Sequence, residues 1–207
     1  MKNKLAKYLL SISAVELSPD KPFVWASGWK SPIYCDNRKT LSYPEIRTYI
    51  RDNFIQKIKL LYPQAEVIAG VATGAIAHAA IVAQKLGLPM IYVRPKAKGH
   101  GLQNRIEGVL HKGQKVVVIE DLISTGGSSA AAVEAIREEG GEVLGLLAIF
   151  TYGFDTAIKR FEEINCKVET LTDYDTLIQK AVDEKYISPE SLPLLQQWRK
   201  DPENFGK

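Results

Sequence analysis

Val116-Val117-Val118-Ile119 is an unbroken run of β-branched apolar side chains. Branching at Cβ favours extended backbone, and the lack of polar alternation means that both faces of this strand are covered. Other short apolar runs lie at Val67–Ala69, Met90–Val93 and Val143–Ile149, with stretches of helical period after the first and before the last. One such stretch, rich in Ala and Ile, ends at Leu86 with Gly87 as its stop and Pro89 just beyond; another runs from about Ser128 to Glu139 and stops at Gly140-Gly141. Strands alternating with helices predict an α/β fold, a mostly parallel central sheet flanked by helices. Such sheets bind ligands beyond the carboxyl ends of their strands.

The flanks are organised differently. Leu5, Tyr8, Leu9 and Ile12 recur at helical spacing, so a first helix is expected to run on and stop before Ser18-Pro19. Lys21–Thr40 is rich in turn residues yet carries Phe23, Trp25, Trp29 and Tyr34, which predicts a short antiparallel ribbon or packed loop. Pro44 opens a helix whose buried face is Ile46, Ile50, Phe54 and Ile58. Gly70–Gly74 reads as a small-residue turn, and Ile106–Leu110 is expected to pair with the strand after the Lys112-Gly113 turn. A short strand near Val168 and further helices complete the chain. Pro189 opens the last helix, with Leu192, Leu195 and Trp198 inward. His78 and Trp198 read as packing residues.

At 207 residues, 45% apolar, the chain has room for one well-buried core. A formal net charge of +3 is too small to imply a nucleic-acid or membrane-surface protein. Cys35 and Cys166 lie far apart with no metal-ligand spacing, against a disulfide-stapled module or a structural zinc site. No apolar stretch approaches the ~20 residues that cross a bilayer, and Lys4 and Lys7 interrupt the N-terminal apolar residues. A soluble cytoplasmic protein is expected, without nucleic-acid or membrane partners.

The strongest local signal follows the buried run: Glu120-Asp121-Leu122-Ile123-Ser124-Thr125-Gly126-Gly127-Ser128. A strand delivers two carboxylates, then a Ser/Thr/Gly turn opens a helix. Small residues let backbone N–H groups close on an anion, and the helix N-terminus adds partial positive charge. Carboxylates would repel a phosphate, but they suit hydroxyls. A sugar phosphate resolves the conflict, with its phosphate in the turn and its ribose diol against Glu120 and Asp121. A Mg2+ ion, which prefers oxygen ligands and substrate phosphates, would ease the charge. Neither a P-loop nor a dinucleotide fingerprint is present.

This run resembles the phosphoribosyl diphosphate signature of type I phosphoribosyltransferases. Phe23–Arg38, with Ser27-Gly28, Ser31-Pro32 and Tyr34-Cys35-Asp36-Asn37-Arg38, resembles the N-terminal hood of the orotate phosphoribosyltransferases, and Leu171–Leu177 is also similar to that family. The resemblance implies reversible transfer of ribose 5-phosphate from phosphoribosyl diphosphate to orotate, with Mg2+, in pyrimidine biosynthesis. It implies one domain, with a core over about 41–169 and a small hood from about 1–40 and 170–207.

The loop Arg94–Arg105 holds five potentially cationic side chains, Arg94, Lys96, Lys98, His100 and Arg105, and Gly99 and Gly101 among them. Lying after a strand's carboxyl end, it is placed to close over an anion. By resemblance, Arg94, Lys98 and His100 contact phosphoribosyl diphosphate, together with the run from Glu120 to Ser128. Lys98, His100 and Asp121 fall on catalytic positions, and Ser124 on a pyrimidine contact. Thr73 and Gly74 form a diphosphate-binding turn through their backbone. The metal has no direct protein ligand and comes mainly with substrate. The resemblance also implies a homodimer whose lid loop serves the neighbour's site. Ala26, Gly74 and Pro95 stand where relatives carry lysines, and no arginine is evident in Thr151-Tyr152-Gly153-Phe154. Two other readings stay open at this point: a purine-using phosphoribosyltransferase, and a non-enzymatic sensor of phosphoribosyl diphosphate.

Overall fold

The computed structural model describes residues 1–25, 28–95 and 105–205. Its centre is a sheet of six strands in the order β10-β9-β8-β5-β6-β7. These are β5 (Val67–Val71), β6 (Met90–Val93), β7 (Ile106–Glu107), β8 (Lys115–Ile123), β9 (Glu142–Thr151) and β10 (Val168–Asp173). All neighbours run parallel except β6 and β7. Helices α3 (Ile76–Leu86), α4 (Gly127–Glu138) and α5 (Asp155–Glu163) connect successive strands. The chain leaves β5 towards β6 and later returns to its other side as β8. The strand order therefore reverses between β5 and β8, where open α/β sheets bind ligands.

The doubly covered strand is as expected, with a core on each face. Val117, Ile119, Leu147 and Ile149 pack towards α1 (Lys2–Ser11), α2 (Pro44–Leu61) and α6 (Tyr174–Asp183). Val116, Val118, Leu146 and Ala148 point the other way, towards Ala130, Val133 and Ile136 of α4 and Phe161 of α5. The α2 stripe of Ile46, Ile50, Phe54 and Ile58 is buried as its spacing predicts.

Several local expectations change. The first helix ends at Ser11, because Val15–Leu17 (β1) finds a strand partner in Ile33–Cys35 (β4). Gly70 and Val71 extend β5 instead of starting a turn, and a Cβ on Gly70 would stand 2.9 Å from that of Ala79. Ile106-Glu107 pairs antiparallel with Tyr92-Val93, not with the following strand; β8 already has β5 and β9 on its two edges. Strand β8 itself continues to Ile123, so Glu120 and Asp121 lie within it. Pro189 opens a short 3-10 turn, and the last helix, α7 (Leu192–Lys200), buries Leu195 and Trp198.

The aromatic-rich stretch forms an antiparallel ribbon, β2 (Phe23–Val24) against β3 (Lys30–Ser31). Trp25 anchors it, packing edge-on against Trp198 at 5.7 Å and beside Tyr152 at 5.2 Å. Its indole N–H donates to the Ile33 carbonyl at 3.1 Å. The Leu171–Leu177 segment crosses from β10 into α6, where Asp173 caps the helix through Thr176 N–H and pairs with Lys2 at 2.6 Å. Among the described residues, no helix is long and apolar enough to cross a membrane.

Candidate active site

Strand alternation sends the two acids of β8 to opposite faces. Glu120 turns towards α4 and is only 3% exposed. Its carboxyl group accepts from Ser129 Oγ at 2.6 Å and from the Asp121 N–H at 2.9 Å. Burial, followed by the hydrogen bond and charge of Asp121, pushes this carboxyl well above the ordinary carboxylate range. Asp121 is half-buried and faces the amino end of α3. A Cβ on Gly74 would collide with its carboxylate, so only glycine fits beside it.

Ser124 and Thr125 lead into α4 through Gly126, whose φ of 76° favours glycine. No side chain caps this helix, so its first N–H groups point outward without an internal side-chain acceptor. Arg160 of α5 braces the turn from behind. Its Nη1 donates to the Thr125 carbonyl at 3.2 Å, and a Cβ on Gly127 would come within 2.8 Å of the same nitrogen. An anion seated on the α4 amides would thus meet backbone donors, with a guanidinium close by.

The hood supplies the opposite wall. Cys35, Asp36 and Arg38 share a cavity of about 320 Å3 with Ala72, Thr73, Gly74, Glu120, Asp121, Leu122 and Ser128. Asp36 holds the Arg38 guanidinium bidentately, Nε to Oδ1 at 2.7 Å and Nη2 to Oδ2 at 3.1 Å. That hydrogen-bonded pairing keeps the Asp36 carboxyl below its ordinary value. Burial raises the Cys35 thiol well above its usual range, and the Asp121 charge adds to the effect. A larger groove of about 610 Å3 lies elsewhere, between α5 and β10, away from the paired acids.

Beneath the cavity floor runs a buried polar chain. Asn37 Nδ2 donates to the Asp121 carbonyl at 2.6 Å. Thr40 Oγ1 donates to the Asn37 carbonyl at 2.5 Å and lies 3.3 Å from His78 Nε2. Because the Thr40 hydrogen is committed to Asn37, His78 carries its proton on Nε2, and its buried Nδ1 has no partner. Burial lowers the His78 pKa to about 4 although Asp121 pulls it the other way.

The geometry unites Thr73, Gly74, Glu120, Asp121, Leu122 and Ser128, and places Ser124, Thr125, Gly126 and Gly127 in the adjoining turn. Ile123 is 2% exposed and points into the core, so only its backbone is available. Arg94 stands at the end of β6, its N–H bonded to the Arg105 carbonyl at 2.8 Å and its side chain 3.3 Å from Glu107. Lys98 and His100 lie outside the described residues. The sequence names Asn37 and Arg38 only as part of the hood motif, with no role assigned, and Arg160 not at all. The polar run Asp36-Asn37-Arg38 directly after a strand was a usable signal for the first two; nothing in the helical period of α5 singles out Arg160.

A phosphoribosyl transferase domain matches residues 41–186. The chain is 56% identical to orotate phosphoribosyltransferase of Listeria innocua, covering 100% of this chain and 99% of that one. It is 55% identical to the orotate phosphoribosyltransferase of Cytophaga hutchinsonii, over 99% of this chain and 98% of the other. The crystal structure of orotate phosphoribosyltransferase from Aeropyrum pernix superposes with a TM-score of 0.76 at 31% identity, covering 85% of this chain and 97% of that one.

Proposed function

We infer the reaction from descent: the chain belongs to the phosphoribosyltransferase family, among the orotate phosphoribosyltransferases. It transfers ribose 5-phosphate from 5-phospho-α-D-ribose 1-diphosphate to N1 of orotate, giving orotidine 5′-phosphate and diphosphate in de novo pyrimidine synthesis. One observation carries the residue roles: β8 carries Glu120 and Asp121 near its carboxyl end, two residues before the turn that leads into the uncapped helix α4.

The 5-phosphate sits on the amides from Ser124 to Ser128, with the Thr125 and Ser128 hydroxyls as further donors. Glu120 and Asp121 take the ribose diol, and Asp121 is the member of the pair beside the Gly74 turn. As the C1–O bond breaks, positive charge grows on the ribose and negative charge on the leaving group. Asp121 favours the first, while Arg94, Lys98 and His100 stabilise the second, each worth on the order of 10²–10³ in rate. Backbone N–H groups at Thr73 and Gly74 add to the diphosphate contacts, and Ser124 contacts the pyrimidine. Departure of diphosphate needs no covalent nucleophile, and orotate is readily deprotonated, so no strong base is needed.

Among the described residues, no cluster of three or more His, Cys, Asp or Glu could cage a metal. The carboxylate and hydroxyl donors fit a hard cation that arrives with the substrate phosphates. Bound there, Mg2+ would neutralise charge on the diphosphate. We place the enzyme in the cytoplasm as a homodimer whose Arg94–Arg105 loop closes over the neighbour's site.

A base panel tests the assignment. With phosphoribosyl diphosphate and Mg2+, orotate is consumed while adenine, guanine and hypoxanthine are not; consumption of a purine instead would move the enzyme to another branch of the family.

A further inference from the structure

We propose that Arg38 is the residue that recognises the carboxylate of the pyrimidine substrate. The proposal rests on the orotate reading above and deepens it. Three carboxyl groups, Asp36, Glu120 and Asp121, line the cavity between the hood and the strand ends. Orotate brings a fourth, on the ring carbon next to the nitrogen that attacks the ribose. Uncompensated, that substrate would be repelled. Among the described residues lining this cavity, Arg38 is the sole cation.

The opposite wall, among the described residues, offers no cation. A Cβ at Gly74 would collide with the Asp121 carboxylate, so position 74 cannot carry a cationic side chain while Asp121 stays in place, and Ala72 and Thr73 beside it are uncharged. Among the described lining residues, the charge comes from the hood side. Arg38 is suited to it in geometry as well as in sign. Asp36 holds Nε and Nη2 at 2.7 and 3.1 Å, fixing the guanidinium plane. The remaining N–H donors form a flat edge that matches a carboxylate in two parallel hydrogen bonds. The side chain remains 59% exposed, so this edge is reachable by an incoming ligand. Asp36 then acts as a positioning residue: it aims the fork without contacting substrate.

The test compares wild type with Arg38→Gln and Arg38→Lys, using orotate as substrate and uracil, the same ring without the carboxylate, as competitive inhibitor. Loss of a charged hydrogen-bond pair should raise KM for orotate roughly 10- to 100-fold. KM for phosphoribosyl diphosphate and Ki for uracil should move less than about threefold, which also shows that the fold is intact. Arg38→Lys should rescue little, because a point charge lacks the fork. An unchanged orotate KM overturns the assignment. So does an equal rise in KM for phosphoribosyl diphosphate, which would make Arg38 a diphosphate contact, or an equal loss of uracil binding. A wild-type chain that leaves orotate untouched overturns the reaction and this assignment together, whereas an active wild type with indifferent variants overturns the assignment alone.

Discussion

The side-chain amide of Asn37, in the hood, hydrogen-bonds the main-chain carbonyl of Asp121 at 2.6 Å, across 84 residues of sequence. The carboxyl end of β8 is therefore fixed by more than its own ladder. The hood and the acid pair are one mechanical unit, with Thr40 and His78 continuing the chain of contacts beneath.

Asn37 is 1% exposed, so removing its amide leaves the Asp121 carbonyl desolvated and unpaired. Asn37→Ala should cost about 1–3 kcal/mol of stability in denaturant unfolding. It should also lower kcat beyond any fraction unfolded, since Asp121 loses its register against the Gly74 turn. A purely structural role would leave kcat per folded molecule unchanged.

Gly74 and Asp121 should fail together. Asp121→Asn should reduce kcat on the order of 10²–10³. Gly74→Ala, which pushes a methyl group into the same carboxylate, should show a loss of the same kind. The double variant should lose much less than the sum of the two, as measured by a double-mutant cycle on kcat/KM.

His78 makes stability depend on acid. Its folded-state pKa, lowered to about 4 by burial, lies below the unfolded value of 6.5. The unfolded chain therefore binds the proton first, and stability is lost as pH falls from 6.5 towards 4. Glu120, raised by burial, works with the opposite sign, losing its contribution as pH rises. A comparison at His78 alone removes that term. Between pH 7 and pH 4, wild type should lose about 3 kcal/mol more than His78→Leu; parallel denaturation curves would contradict the desolvated imidazole.

Lys98→Ala should cut turnover on the order of 10²–10³ while leaving the thermal midpoint unchanged. Near-normal activity in this variant would remove Lys98 from the leaving-group contacts.

Much of this was legible in the chain itself. The Val116–Ile119 run and the helical stripes fixed the layers because burial on two faces leaves a distinct pattern. The Glu120–Ser128 segment was legible because local chemistry and local backbone coincide there. What escaped was non-local. No periodicity shows that Asn37 lies under Asp121, or that Arg160 braces the Thr125 carbonyl. Pairing also resisted: Ile106-Glu107 turns back onto β6 because both edges of β8 are taken, a fact of the assembled sheet. The first helix is shorter than its spacing predicts, because nothing in Ala14–Leu17 announces that Ile33–Cys35 is the partner of Val15–Leu17. His78 is fully buried, as a packing residue would be, yet its Nε2 lies within reach of the polar chain beneath the site.

The most direct measurement is to mix the purified chain with orotate, phosphoribosyl diphosphate and Mg2+ and follow the ultraviolet absorbance of orotate. Absorbance should fall only when all three are present, and adding diphosphate with orotidine 5′-phosphate should restore it. Unchanged absorbance, with phosphoribosyl diphosphate still bound, would contradict orotate transfer at the strand that carries Glu120 and Asp121.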